Sequence, residues 1–212
     1  MKIKILIVDD HAIMREGLKQ ILANYADIQV GGEAGDGAEA LLQIKRQQWD
    51  VVVLDMSMPG RSGVDLLKQI KFEQPALPVL VLSMHKEEQY AARTLKAGAS
   101  GYLCKDGAST QLVSAIRKVA SGGILISPEA AENMAISSIN RKSDAPPHTL
   151  LSDREYQIFE LLIAGKGITE MANMLSISVK TVSTHKTRIM QKLGKSTMTE
   201  LVRYAIEHEL VK

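Results

Sequence analysis

From Ile3 to Val119, short runs of β-branched and aliphatic residues alternate with stretches whose apolar positions recur at helical spacing. Ile3–Val8, Ile28–Gly32, Val51–Leu54, Val79–Leu82 and Gly101–Cys104 read as strands. Between them, Met14, Leu18, Ile21 and Leu22 share one helical face, as do Leu112, Ala115, Ile116 and Val119. Parallel neighbours need a crossover of helix length. The alternation therefore predicts an α/β fold, a doubly wound five-stranded parallel sheet with helices on both faces. Trp49, just before the third strand, and the ten methionines read as packing residues rather than a cofactor box.

The pattern changes at residue 123. Ser127-Pro128-Glu129 combines an N-cap, a proline at the first helical position and an acid in the first turn, which predicts a short helix to about Ile136. Ser137 to His148 is polar and ends on Pro146-Pro147, the composition of a linker with a semi-rigid end. Beyond it the strand signals stop. Ser152-Asp153-Arg154-Glu155 is a capping box, with Leu151 placed to staple against Tyr156. The helix it opens turns Ile158, Leu161 and Leu162 inward and ends at Gly165 and Gly167. Helices over Ile168–Leu175, Val179–Leu193 and Met198–His208 follow, with a tight turn at Ser176-Ile177-Ser178. The expected organisation is one domain over 1–122, a linker with a short helix over 123–147, and an all-α four-helix domain over 148–212.

Composition narrows the setting. With 212 residues and 45% hydrophobic content, two cores are within reach. No apolar run approaches the roughly 20 residues of a membrane span, and no signal-peptide pattern opens the chain, so a cytoplasmic location is expected. Cys104 stands alone, which excludes a disulfide framework and a cysteine metal set. Net charge is only +2, yet between Glu170 and Glu200 there is no acid, while Lys180, Lys186, Arg188, Lys192 and Lys195 all fall there. A polyanion partner is indicated for that segment alone.

Candidate chemistry gathers at strand ends. The first strand runs into Asp9-Asp10, the third into Asp55, the fourth into Ser83 and the fifth into Lys105. In an open parallel sheet the carboxyl ends face one crevice, so these groups converge. Three crowded carboxylates repel one another unless a cation joins them, and an all-oxygen set suits Mg²⁺ (or Mn²⁺). A lysine beside them makes the crevice a receptor for a phosphoryl group. A single Asp after a strand is ordinarily a cap or turn former; the complete set argues otherwise. Gly35-Asp36-Gly37-Ala38-Glu39-Ala40 fits the G-x-G-x-x-A dinucleotide pattern, but it follows the second strand, and Asp36 to Glu39 reads as another capping box. The five histidines, His11, His85, His148, His185 and His208, show no metal-ligand spacing.

Through Ile7-Val8-Asp9-Asp10-His11, Leu54-Asp55-Met56-Ser57-Met58-Pro59-Gly60, Leu82-Ser83 and Gly98 to Lys105, residues 1–122 resemble a response-regulator receiver domain. End to end, the chain resembles the NarL/FixJ-type regulators, which join a receiver to a LuxR-type helix-turn-helix. The resemblance implies a flavodoxin-like receiver of strand order 2-1-3-4-5. It also implies a DNA-binding transcriptional response regulator of a two-component system, not an enzyme, switched by Mg-dependent phosphorylation by a sensor histidine kinase. It assigns Asp55 as phosphoacceptor, with Asp9, Asp10, Asp55 and the backbone carbonyl of Ser57 as metal ligands. Lys105 would neutralise phosphoryl oxygens, and Ser83 with Tyr102 would form the switch. Asp106 stands where many receivers carry proline, and Ser57 and His85 occupy the two positions that tune phosphoryl lifetime in the family.

On Val179–Leu193, Val182, Ile189 and Leu193 form a buried stripe opposite Lys180, Ser183, Thr184, Thr187, Arg188 and Gln191. A face of hydroxyls and cations suits a major groove, although any amphipathic helix in a bundle shows the same spacing. By resemblance, Lys180, Ser183, Thr184 and Thr187 read bases, while Thr181, Arg188 and Lys192 hold phosphates. Leu201, Tyr204 and Ala205 match the surface that makes a homodimer on double-stranded promoter DNA. Ser183 replaces a lysine common in relatives. Two rivals remain at this point. An aspartyl-phosphate hydrolase would carry a second acid two residues after Asp55, where Ser57 stands. A phosphorylation-independent regulator would use its receiver only as a dimer scaffold.

Overall fold

The computed structural model describes residues 2–56, 58, 63–83, 88–105, 108–127, 131, 146–208 and 210. The chain forms two compact units, 1–136 and 137–212.

In the first unit, β1 (Ile3–Val8), β2 (Ile28–Ala34), β3 (Val51–Asp55), β4 (Val79–Ser83) and β5 (Gly101–Cys104) make one parallel sheet in the order β2-β1-β3-β4-β5. Helices α1 (Ala12–Ala23), α2 (Gly37–Arg46), α3 (Gly63–Glu73), α4 (Glu88–Lys96) and α5 (Ala108–Ala120) alternate with them. The central strands β3 and β4 are buried along their whole length, as near-continuous apolar runs require. Ile5, Ile7, Val51, Val53, Leu80 and Leu82 pack with Leu18 and Leu22 of α1 and Leu112, Ile116 and Val119 of α5. The alternate residues Leu6, Val8, Val52, Leu54 and Val81 are equally buried, so both faces of the sheet are covered. Strand order changes direction between β1 and β3, and the crevice opens there at the carboxyl ends.

Strand β2 runs two residues further than the sequence pattern predicts. Pairing slips between Ile5 and Leu6, leaving Gly31 as the extra residue of a bulge. A Cβ on Gly31 or Gly32 would run into the Trp49 ring, so these glycines let the indole lie against the edge strand. Trp49 Nε1 donates to the Gln43 carbonyl at 3.1 Å. Asp36 caps α2 by accepting from the Ala38 and Glu39 N–H groups, but Glu39 reaches the N–H of Gly35 at 2.8 Å rather than that of Asp36. Only half of the expected capping box forms.

After α5 the chain turns at Gly122 and lies along β5. Leu125 N donates to Ser100 O at 2.9 Å and Tyr102 N to Leu125 O at 3.2 Å, while the Leu125 side chain packs on the core. Packing of the first unit thus continues past residue 122, because the edge of β5 offers unpaired backbone groups. The helix predicted from Ser127 falls almost wholly outside the described residues; within it, Ala131 N donates to Ser127 O at 3.0 Å.

The second unit opens with a 3₁₀ turn (Pro147–Leu150), followed by α6 (Asp153–Ile163), α7 (Ile168–Met174), α8 (Val179–Leu193) and α9 (Met198–Glu207). The Ser152–Glu155 capping box forms, and a second one, Thr197 with Glu200, opens α9. Tyr156 and Phe159 fill the inward face of α6 beside Ile158 and Leu162, whereas Leu161 is half-buried. Gly165 ends α6 at φ +78°, and Gly167 is instead the N-cap of α7. The turn to α8 is a Schellman closure: Ile177 N donates to Ala172 O at 3.0 Å and Ser176 N to Asn173 O at 3.2 Å. Ser176 takes φ +51°, a conformation usually left to glycine. Ser178 then caps α8 by accepting from the Thr181 N–H.

Candidate functional site

Asp9 ends β1, Asp55 ends β3, Ser83 ends β4 and Lys105 follows β5; all four side chains are buried at the mouth of the crevice. Lys105 Nζ bridges two strands, standing 2.8 Å from Asp9 Oδ2 and 3.1 Å from Asp55 Oδ1. Burial works against its charge. The hydrogen bond to Asp9 and the charges of Asp55 and Asp9 outweigh that, and its pKa lies above the ordinary lysine value. Asp9 is satisfied at both oxygens, since Oδ1 also accepts from the His11 N–H at 2.8 Å.

Among the described residues, Asp10 has no such cation. Its Oδ1 is buried and accepts no hydrogen bond, although the His11 Nδ1 stands 3.1 Å away. Ligand atoms of Asp9, Asp10, His11 and Asp55 lie within 4.8 Å of one another. A carboxylate-rich cluster with a buried, unbonded oxygen fits a hard divalent cation. Ser57, with the metal-ligand carbonyl expected of it, His85 and Asp106 lie outside the described residues. Tyr102, half-buried on β5, hydrogen-bonds through its backbone to Leu125, as described above.

Two residues escaped the sequence reading. His11 counted among five scattered histidines, yet its ring also lies 3.3 Å from Asp9 Oδ1; its place next to Asp10 in the chain was the available signal. Arg15, one turn further along α1, donates to the Asp9 carbonyl at 2.6 Å and to Glu33 at 3.2 Å. It ties the β1 end to β2, and nothing in the sequence pattern announces it.

In the second unit, α8 buries Val182, Ile189 and Leu193 and exposes Lys180, Thr184, Thr187, Arg188 and Gln191, with Ser183 half-buried. A short helix, a Schellman turn and a longer helix with a polar, cationic outer face form a helix-turn-helix.

Residues 5–117 match the response regulator receiver domain, and residues 149–205 match the bacterial regulatory proteins of the luxR family. The chain belongs to the response regulators. It is 39% identical to the oxygen regulatory protein NreC of Staphylococcus carnosus, covering 98% of this chain and 99% of that protein. It is 37% identical to the response regulator UvrY of Escherichia coli K12, covering 98% and 95%. Among solved structures it is similar to RcsB from Salmonella enterica serovar Typhimurium bound to promoter rprA in the presence of the phosphomimetic BeF3−. That match has 26% identity and a TM-score of 0.69, covering 96% of this chain and 98% of that one. The protein is thus a two-component response regulator with a receiver and a LuxR-type DNA-binding domain.

Lys192 Nζ lies 2.6 Å from Oε2 of the buried Glu155 and donates to Leu150 O at 3.2 Å, tying α8 to α6. One sequence assignment changes in this response regulator. Leu201, Tyr204 and Ala205 are not a surface at all. They are 0%, 4% and 0% exposed, packed inside their own unit, and the Tyr204 hydroxyl accepts from His148 N at 3.2 Å and lies 2.7 Å from His148 Nδ1. The outward side of α9 carries Met198, Val202 and Ile206 instead, the last 61% exposed. Thr181, assigned to phosphate, shares its hydroxyl with that of Ser178 at 2.7 Å. No helix among the described residues is long and apolar enough to cross a membrane.

Proposed function

We propose that this regulator is switched by phosphorylation of Asp55 by a sensor histidine kinase and then acts as a homodimer on promoter DNA. The observation that carries the reading is the Lys105 ammonium held between Asp9 and Asp55 at the carboxyl ends of three strands. An Asp55 carboxylate oxygen forms the new bond to phosphorus as the bond to the donor, a phosphohistidine nitrogen or the oxygen of a small acyl phosphate, breaks. Lys105 would neutralise the incoming oxygens, and Ser83, buried at the neighbouring strand end, would donate to another. Asp9, Asp10, Asp55 and the Ser57 carbonyl would hold Mg²⁺ or Mn²⁺, which would supply charge neutralisation. Phosphorylation adds up to about two negative charges, enough to bias Ser83 and Tyr102 toward a second arrangement. The receiver promotes only its own phosphorylation and dephosphorylation.

The α8 face, with Lys180, Ser183, Thr184, Thr187 and Arg188, supports major-groove binding. The apolar outer side of α9, Met198, Val202 and Ile206, replaces the earlier dimerisation assignment. Promoter-bound RcsB, similar over nearly the whole chain, supports DNA as the partner. The test is acetyl phosphate with Mg²⁺, read by intact mass and by promoter affinity. Wild type gains label and affinity, and Asp55→Asn gains neither. Undiminished labelling of Asp55→Asn refutes the phosphoacceptor assignment. Equal affinity of wild type and Asp55→Ala, with and without donor, supports the scaffold reading instead.

A further inference from the structure

Three hydroxyl residues, Ser183, Thr184 and Thr187, sit among the base-reading candidates of α8, and they are not equivalent. Thr184 Oγ1 donates to Lys180 O at 2.9 Å, and Thr187 Oγ1 donates to Ser183 O at 3.1 Å. Both residues are exposed, so neither bond is forced by packing against another element. Ser183 makes no hydrogen bond through its hydroxyl among the described residues. Threonine in a helix has few low-energy rotamers, and the one that bonds the carbonyl a turn back commits the hydroxyl proton to the helix itself. The other branch, the Cγ2 methyl, is then the group offered outward. Thr184 and Thr187 are three positions apart, hence neighbours on one face. The outer surface of the recognition helix is therefore divided: Lys180 and Ser183 present polar donors, while Thr184 and Thr187 present two adjacent methyl groups with only oxygen lone pairs beside them.

We infer that Thr184 and Thr187 read thymine by apolar contact with its 5-methyl group, so each half-site of the preferred DNA contains thymine opposite these residues. The inference rests on the reading above that α8 enters the major groove. There the thymine methyl is the one apolar feature on a base edge, and the other bases display donors and acceptors. A threonine whose proton bonds its own helix must give up that bond to donate to the guanine O6 and N7 or to the adenine N7, whereas contact through its methyl group costs no such bond.

The test starts from duplexes selected out of a random library by the full-length protein with Mg²⁺ and beryllofluoride. Each thymine of the selected site is then replaced singly by deoxyuridine, which removes only the 5-methyl group. Binding should weaken roughly fourfold at one or two thymines of each half-site, the factor given by about 0.8 kcal/mol for one buried methyl-sized group. Thr184→Ser and Thr187→Ser keep the hydroxyl but lose the methyl, and each should erase the penalty at one thymine. Thr184→Val and Thr187→Val keep the methyl and should preserve it. A site that binds tightly and shows no uridine penalty overturns this inference alone, as does a penalty that survives in the serine variants and vanishes in the valine ones. A protein that enriches no sequence overturns the DNA reading and this inference together.

Discussion

Asp9 and Asp55 share the Lys105 ammonium, whereas among the described residues Asp10 Oδ1 accepts no hydrogen bond and stands 3.1 Å from the exposed His11 ring. Asp10 therefore contributes repulsion to the metal-free receiver, and Asp10→Asn should stabilise it by about 1 kcal/mol in EDTA. The same change should remove most of the rise in unfolding temperature that Mg²⁺ gives wild type, because ligand binding to the native state is what produces that rise. Differential scanning calorimetry with and without Mg²⁺ reads both effects. In the other unit, Glu155 is buried, which disfavours its charge, but the hydrogen bonds from Lys192 and from Ser152 outweigh burial and hold its carboxyl below the usual value of 4.5. A depressed carboxylate contributes stability above its unfolded value and loses it as pH falls through the folded one. Urea unfolding of the second unit should thus weaken below about pH 4.5, and Glu155→Gln should lower stability at pH 7 while flattening that acid limb. Far-UV circular dichroism at a series of pH values would follow it. These residues also mark what the sequence revealed. Asp9, Asp55, Ser83 and Lys105 were legible because apolar runs end where strands end. The Lys192–Glu155 pair was not, since helical exposure says nothing about which acid lies across the gap.

Helix α9 is the element where pattern reading failed, and the cause is physical. It is apolar on two sides: Leu201, Tyr204 and Ala205 face its own core, while Met198, Val202 and Ile206 face outward. A resemblance cannot tell which stripe is which, and the His148–Tyr204 contact that pins the inner one is 56 residues long-range. The two stripes should respond differently to substitution. Leu201→Ala should cost about 2–5 kcal/mol in stability of the second unit through a cavity. Ile206→Glu should leave stability within about 0.5 kcal/mol but weaken the DNA-bound dimer. Chemical denaturation together with sedimentation on a short duplex separates the two. Helix α8, by contrast, matches the expected Val179–Leu193 to the residue, because Ser178 and Gly194 mark its ends unambiguously.

For the whole molecule, strand-helix alternation was enough to predict a parallel five-stranded sheet, its order came from the family resemblance, and the loss of strand signals was enough to predict a helical second unit. Charge follows the same division: a near-neutral chain concentrates its cations without acids between Glu170 and Glu200. The limit of the first unit was harder to read, because Leu125 joins the sheet edge through backbone groups that leave no side-chain pattern.

That junction has a protective consequence. A five-stranded open sheet ends in bare amide and carbonyl groups on which another molecule can add a strand. The chain seals the β5 rim with its own departing segment: the Ser100 carbonyl and the Tyr102 amide are both engaged by Leu125. Peeling that segment away would uncover a ready template for intermolecular sheet growth, so the residues around Leu125 also guard this edge of the receiver against strand addition.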